Sequence, residues 1–185
     1  MMMAEATNHY FKHLGVSDGL SQVCIPSIYQ DELGAVWLGT TEGLNRYNGK
    51  DVKVFQPSES NHGLTNNEIN ELCGDKNGRM YIRSGNDLIK LDIYTEQFTC
   101  LRQKGVYGLF CKKDTLWVSC ADGIYYYTGQ GTELTFFARV QKGFVGRALY
   151  VDKETVWVVT RKYLVAISRE DPVSYTHLRA HETEL

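Results

Sequence analysis

Residues 28–48 read IYQDELGAVWLGTTEGLNRYN, and the organisation of the chain follows from them. Ile28 and Tyr29 begin an apolar run that breaks at Asp31-Glu32-Leu33-Gly34 and resumes as Val36-Trp37-Leu38-Gly39. A second break, Thr40-Thr41-Glu42-Gly43, leads into Leu44-Asn45-Arg46-Tyr47. β-Branched and aromatic residues suit a pleated, half-buried surface, whereas Gly, Asp and Asn supply the backbone conformations of tight turns. The stretch predicts two short antiparallel strands and the start of a third.

The unit recurs at 72–92 (LCGDKNGRMYIRSGNDLIKLD), 109–128 (LFCKKDTLWVSCADGIYYYT) and 149–168 (LYVDKETVWVVTRKYLVAIS). Each copy carries one large aromatic as an anchor: Trp37, Tyr81, Trp117 and Trp157, at spacings of 44, 36 and 40 residues. Seven residues past each anchor stands an aliphatic: Leu44, Leu88, Ile124 and Leu164. The turn before the anchor is one residue shorter in the last two copies. Such a period fits propeller blades, in which each repeat is one small antiparallel sheet. The predicted fold is all-β: a partial β-propeller of about four blades of four-stranded antiparallel sheet, the fourth incomplete, from a seven-bladed ring. The four anchors are assigned to packing between blades, because large aromatics dominate such cores.

Taken in order, residues 1–9 are polar and read as a disordered segment, and the propeller runs from 10 to 171. Residues 10–14 (YFKHL) read as a lone ring-closing strand before the first repeat. Blade one covers about 15–57, blade two 58–103, blade three 104–142 and blade four 143–171. Blade four shows only three strands, and alternation stops where the next is due. Residues 172–185 form a non-native tail, and within it 173–185 (VSYTHLRAHETEL) resembles a translated sequencing adapter. His177 and His181 in that tail are not assigned to a metal site.

Composition narrows the function. The 185-residue chain has a net charge of −2 with both signs interspersed, so nothing marks it for nucleic acid. No run of about 18 apolar residues occurs, so no membrane segment is expected in this region. Met1-Met2-Met3-Ala4 shows no basic-then-apolar export signal, and the chain reads as a piece of a longer frame. The five cysteines, Cys24, Cys73, Cys100, Cys111 and Cys120, show neither C-x-x-C nor zinc spacing. They are expected to be buried free thiols packing as small hydrophobes.

The residues around the first unit resemble a known family. Asp18-Gly19-Leu20, then Asp31 and Gly34, then Trp37-Leu38-Gly39-Thr40-Thr41-Glu42-Gly43-Leu44-Asn45-Arg46-Tyr47 follow the two-component regulator propeller repeat. The resemblance covers about residues 10–171 and is most specific at 14–48. It departs at Tyr81 for Trp, at Asp87 for Gly, and at Arg161-Lys162-Tyr163 for the hairpin glycine motif. It implies the N-terminal periplasmic sensor of a carbohydrate-responsive hybrid two-component system. In that family two propellers precede a β-sandwich, a membrane helix, a histidine kinase, a receiver and a DNA-binding domain. The parent would be anchored in the inner membrane and act as a homodimer, with an oligosaccharide as ligand.

No H-E-x-x-H, Walker loop or G-x-G-x-x-G occurs, so no catalytic residue, cofactor or metal is assigned. Asp31 and Glu32 read as turn residues rather than a catalytic carboxylate pair. The turns between the second and third strands of every blade emerge on one face of a propeller. Glu42, Asn86, Asp122 and Arg161 stand on those turns and are the candidate ligand-binding residues, since mixed carboxylate, amide and guanidinium groups hydrogen-bond sugar hydroxyls. Two other classes stay open: a secreted propeller lyase or glycosidase acting on polysaccharide, and a protein-binding scaffold.

Overall fold

Alternating side chains broken by short turns produce sixteen strands among the described residues, four to each of four antiparallel sheets. The computed structural model describes residues 12–57, 63–139, 146, 148–160, 163–172 and 175–179. Blade one holds β1 (Ser27–Gln30), β2 (Val36–Thr40), β3 (Gly43–Tyr47) and β4 (Val52–Phe55). Blade two holds β5 (Ile69–Gly74), β6 (Arg79–Ser84), β7 (Asp87–Asp92) and β8 (Gln97–Arg102). Blade three holds β9 (Val106–Lys112), β10 (Thr115–Cys120), β11 (Gly123–Tyr127) and β12 (Thr135–Ala138). Blade four holds β13 (Ala148–Val151), β14 (Thr155–Val159), β15 (Tyr163–Ser168) and β16 (Tyr175–Arg179). Each sheet is a meander in chain order, and the first strands β1, β5, β9 and β13 touch in succession, which is propeller geometry.

The four anchors occupy one rung. Trp37 stands opposite Tyr29 and Arg46, Tyr81 opposite Cys73 and Lys90, Trp117 opposite Phe110 and Tyr126, and Trp157 opposite Tyr150 and Ala166. Because strand side chains alternate between faces, an anchor points one way and its two neighbours the other. Trp37 packs with Leu72, Met80 and Ile82 of blade two. Tyr81 packs with Leu109, Leu116 and Val118 of blade three, and Trp117 with Leu149, Val156 and Val158 of blade four. Every anchor thus faces forward and the residues flanking it face backward. Trp37, Tyr81 and Trp117 are 0%, 0% and 5% exposed. Trp157 is only half-buried, and Tyr150 and Val159 on its face are 57% and 48% exposed.

The turn aspartates do more than shape the hairpin. Asp31 Oδ1 accepts the amides of Leu33 (3.0 Å) and Ala35 (2.9 Å), while Oδ2 accepts the indole Nε1 of Trp37 at 2.8 Å. Asp152 does the same in blade four, taking the amides of Glu154 and Thr155 and the Nε1 of Trp157 at 2.9 Å. In blade two the anchor is Tyr81, which has no N–H to offer, and Asp75 pairs instead with the Arg79 guanidinium. Glu32 leaves its own turn and accepts the amide of Gly78 in the next blade. The hairpin turns adapt as well. Gly43 has φ 120° and lies so near the Phe55 carbonyl that a Cβ there would stand 2.7 Å from it. In blade two Asp87 takes that place, and the positive φ moves to Gly85 (φ 57°).

Three details differ from the sequence expectation. Lys12, His13 and Leu14 form no strand where the end of a ring-closing strand is predicted, while Tyr10 and Phe11 lie outside the described residues. No strand pairing joins residues 12–14 to an edge of the four described sheets. Blade four has its three expected strands plus a fourth, β16, drawn from the tail and paired along β15 from Ile167↔Tyr175 to Tyr163↔Arg179. An unpaired edge exposes a row of N–H and C=O groups, and extended chain close behind it satisfies them. Among the cysteines only Cys120 is buried; Cys73, Cys100 and Cys111 are half-buried and Cys24 is exposed.

Two predictions follow from the packing. The forward face of blade four and the backward face of blade one, where Ile28 is 66% exposed, have no blade against them among the described residues. A junction of three or four large apolar side chains stabilises by roughly 5–10 kcal/mol, comparable with the net stability of a domain. The chain expressed alone should therefore self-associate or precipitate, as measured by light scattering; a sharp, reversible monomeric unfolding transition would contradict this. Separately, Asp31→Ala removes three hydrogen bonds at a buried site and should cost roughly 2–4 kcal/mol. Asp31→Asn, which keeps an acceptor for the turn amides, should cost less, as read from urea midpoints followed by tryptophan fluorescence.

Candidate functional site

The turns between second and third strands are two residues long in the first three blades: Thr41-Glu42, Gly85-Asn86 and Ala121-Asp122. A chain of backbone hydrogen bonds fixes them against the connections between blades. The Gly43 amide donates to the Asn67 carbonyl (2.8 Å) and Gly85 to Glu68 (2.7 Å). The Val106 amide donates to Asn86 (3.0 Å) and Ala121 to Gly105 (2.8 Å). The three turns therefore stand at the same end of consecutive sheets, backbone tied down and side chains outward. Glu42, Asn86 and Asp122 are all exposed. Arg161, the fourth candidate, lies outside the described residues.

The three described candidates differ in how they are held. The Glu42 amide donates to Thr40 Oγ1 (3.0 Å) and its carbonyl accepts Gln56 Nε2 (2.8 Å), which anchors the main chain and leaves the carboxylate on the surface. Asn86 is anchored through its carbonyl, which accepts the Val106 amide, and the neighbouring Asp87 accepts the Lys104 amide at 2.6 Å. Asp122 is engaged on both oxygens: Oδ1 accepts Arg102 at 2.7 Å and Oδ2 accepts the Tyr125 hydroxyl at 2.8 Å. The Arg102 guanidinium also lies 4.7 Å from the centroid of the Tyr125 ring. Beside this trio an open cleft of about 290 Å³ is lined by Leu101, Arg102, Tyr125, Thr132, Glu133 and Leu134.

The comparisons with known proteins bear on this end of the molecule. Residues 19–42 match the family described as Two component regulator propeller, a span that closes on the Thr41-Glu42 turn. That stretch is similar to the repeat. A 55-residue stretch is 38% identical to "Histidine kinase P4" of Formosa agariphila, covering 30% of this chain and 4% of that protein. Two solved structures described as extracellular domains of hybrid two component systems from B. thetaiotaomicron share the fold. The first has a TM-score of 0.76 at 23% identity and covers 90% of this chain and 26% of its own. The second has a TM-score of 0.69 at 20% identity and covers 90% and 23%. The chain thus spans about a quarter of these structures and a small fraction of the kinase.

Seen from the propeller repeat, Arg102 and Tyr125 are the residues that sequence reasoning misses. Tyr125 in β11 stands three residues from Asp122 in its own blade, but Arg102 ends β8 of blade two, and only the stacking of blades two and three brings it to Asp122. No spacing within one repeat announces such a contact. Among the described residues no group of three His, Cys, Asp or Glu side chains is set to hold a metal ion. No helix of the described residues is long and apolar enough to cross a membrane.

The trio has a testable titration. Burial pushes the Asp122 carboxyl up, but the Arg102 guanidinium and the Tyr125 hydroxyl outweigh it and hold the group below its ordinary value. A depressed folded pKa means the contact contributes above the unfolded aspartate value and is lost as pH falls through the folded one. Arg102→Ala should raise the Asp122 pKa toward the ordinary range, measured by NMR titration of the carboxyl carbon. An unchanged value would show that the pair does not form in solution.

Proposed function

We propose that this chain is a ligand-sensing propeller segment of a hybrid two-component regulator, detecting oligosaccharides in the periplasm, with its parent anchored in the inner membrane. The observation that carries the proposal is the two-component regulator propeller match ending on the Thr41-Glu42 turn. The fold shared with two extracellular domains of hybrid two component systems supports the same reading.

The geometry suits recognition rather than turnover. Sugar hydroxyls are bound by fixed donors and acceptors, and a ring of turns with tied backbones presents them without a large ordering cost. Glu42 supplies a carboxylate, Asn86 an amide and Arg161 a guanidinium, while Asp122 is positioned by Arg102 and Tyr125. Binding at such a rim shifts the population of propeller or dimer arrangements in the homodimeric full-length sensor, and the membrane helix reports the shift to the kinase. Kinase chemistry belongs to parts of the parent other than these 185 residues.

Alanine substitutions at Glu42, Asn86 and Arg161 in the full-length sensor test the assignment. Calorimetry with oligosaccharides that the wild-type sensor binds should show each variant at least about tenfold weaker, near 1.4 kcal/mol. Unchanged affinity in all three removes these turns as the binding rim. Cleavage of the oligosaccharide during the titration would instead support a propeller lyase or glycosidase. A kinase and receiver encoded downstream in the uninterrupted gene would support the sensor, and a stop soon after the ring a scaffold.

A further inference from the structure

The first strands of neighbouring blades converge toward the hub, where one position of each strand meets one position of the next. Tyr29 of β1 meets Gly74 of β5: a Cβ on that glycine would stand 2.2 Å from the Tyr29 hydroxyl. In the third junction Phe110 of β9 packs with the cluster that holds Val151 of β13. The same rung of the middle junction is occupied by Cys73 of β5 and Cys111 of β9. Register confirms the equivalence. Tyr29, Cys73 and Phe110 are the residues opposite the anchors Trp37, Tyr81 and Trp117, and Gly74, Cys111 and Val151 stand opposite Met80, Leu116 and Val156.

At the outer junctions one large side chain fills the space over a small one. The middle junction has two small ones, and their sulfur atoms close the gap at 2.7 Å. That is nearer than unbonded sulfur atoms rest and within about 0.7 Å of a disulfide bond. Both side chains lie against the same core, beside Tyr81, Leu116 and Tyr127. Packed sheets stand about 10 Å apart on average, so a bridge needs a place where the strands approach more closely. At the hub the Cα atoms of β5 and β9 come within 8 Å, and the 2.7 Å between the sulfur atoms marks the point of approach. Cys24 is an exposed loop residue, and among the described residues no sulfur lies within hydrogen-bond reach of Cys100 or Cys120.

We propose that Cys73 and Cys111 are a redox-active pair that forms an inter-blade disulfide, stapling blade two to blade three at the hub. The oxidant is a disulfide of the glutathione or thiol-oxidase class. One cysteine sulfur attacks the oxidant RSSR to give a mixed disulfide and release RSH; the second cysteine displaces the other RSH. The sum is two protein thiols plus RSSR giving one protein disulfide plus two RSH: both sulfurs are oxidised, the oxidant is reduced by two electrons, and both thiol protons leave with RSH. Burial and the adjacent Cys111 push the Cys73 thiol up. Persistence of the bond in the cell rests on the periplasmic reading, since oxidising compartments preserve disulfides. Formation of the bond does not.

The test uses the 185-residue chain and needs no ligand. The chain is oxidised with oxidised glutathione, blocked with N-ethylmaleimide in denaturant, digested without reduction and mapped by mass spectrometry. The expected product is one cross-linked pair, Cys73 with Cys111, with Cys24, Cys100 and Cys120 carrying the label. The same oxidation carried out in denaturant should give mixed pairs. The oxidised chain should also resist limited proteolysis more than the reduced chain, a difference absent from Cys73→Ser and Cys111→Ser. Label on all five cysteines, or mixed pairs without denaturant, would overturn the proposal. A Cys73–Cys111 bond formed in vitro but missing from protein isolated from cells would count against the periplasmic reading and leave the pairing intact.

Discussion

Everything in this molecule depends on the contact between the anchor of one blade and the residues beside the anchor of the next. The contact is directional: Trp37, Tyr81 and Trp117 project forward, while Met80 with Ile82, Leu116 with Val118, and Val156 with Val158 project back to receive them. Burial of each large side chain stabilises by about 1.5–3 kcal/mol, and no single four-stranded sheet can provide it for itself. The end of the series shows the same rule from the other side. Trp157 keeps its hydrogen bond to Asp152 and its rung in the sheet, yet it stays half-exposed because no blade among the described residues receives it.

Stacking leaves a polar problem at the hub, since first strands have one edge without a strand partner. The structure solves it with a side chain placed at equivalent positions. Ser27 and Glu71, each ten residues before an anchor, accept the Leu72 and Leu109 amides of the following blade at 2.9 and 3.1 Å. Glu71 shows what such placement costs: burial raises its carboxyl, while the Leu109 amide and the Arg83 guanidinium, 3.3 Å away, pull in the other direction. An apolar forward face and a polar inner edge are therefore built from adjacent rungs of one strand.

The fold was legible because its determinants repeat. The anchor, the aliphatic seven residues on and the turn aspartate recur at blade spacing, and strand boundaries follow from alternation and glycine. Single substitutions within the repeat proved interpretable once the partner was visible: Tyr81 for Trp frees Asp75, which takes Arg79, and Asp87 for Gly is matched by Gly85. What was not legible is whatever depends on two blades at once. Arg102 meets Asp122, Glu32 meets the Gly78 amide, and Cys73 meets Cys111 only because sheets stack in order. The β16 strand was missed for a related reason: an open edge on β15 recruits extended chain whatever its origin, and no repeat encodes that.

The two rims of the wheel are built to different specifications, and this bears on function. On the rim of the first-to-second-strand turns, side chains link blade to blade: Glu32 takes the Gly78 amide, Asn77 bonds Asp114, and Lys112 reaches the Val151 carbonyl at 2.7 Å. Changing a side chain there changes the assembly. On the opposite rim the Arg102–Asp122 pair is one side-chain link, and the other links named here are made by main chain, Gly43 to Asn67, Val106 to Asn86 and Ala121 to Gly105. Main-chain bonds are indifferent to the side chain they carry, so Glu42 and Asn86 can be replaced without loosening the turns that hold them. A surface whose backbone is fixed and whose side chains are free to vary is one on which ligand preference can change while the fold does not. That asymmetry, more than any single residue, is what supports the proposed ligand surface on the rim of the second-to-third-strand turns.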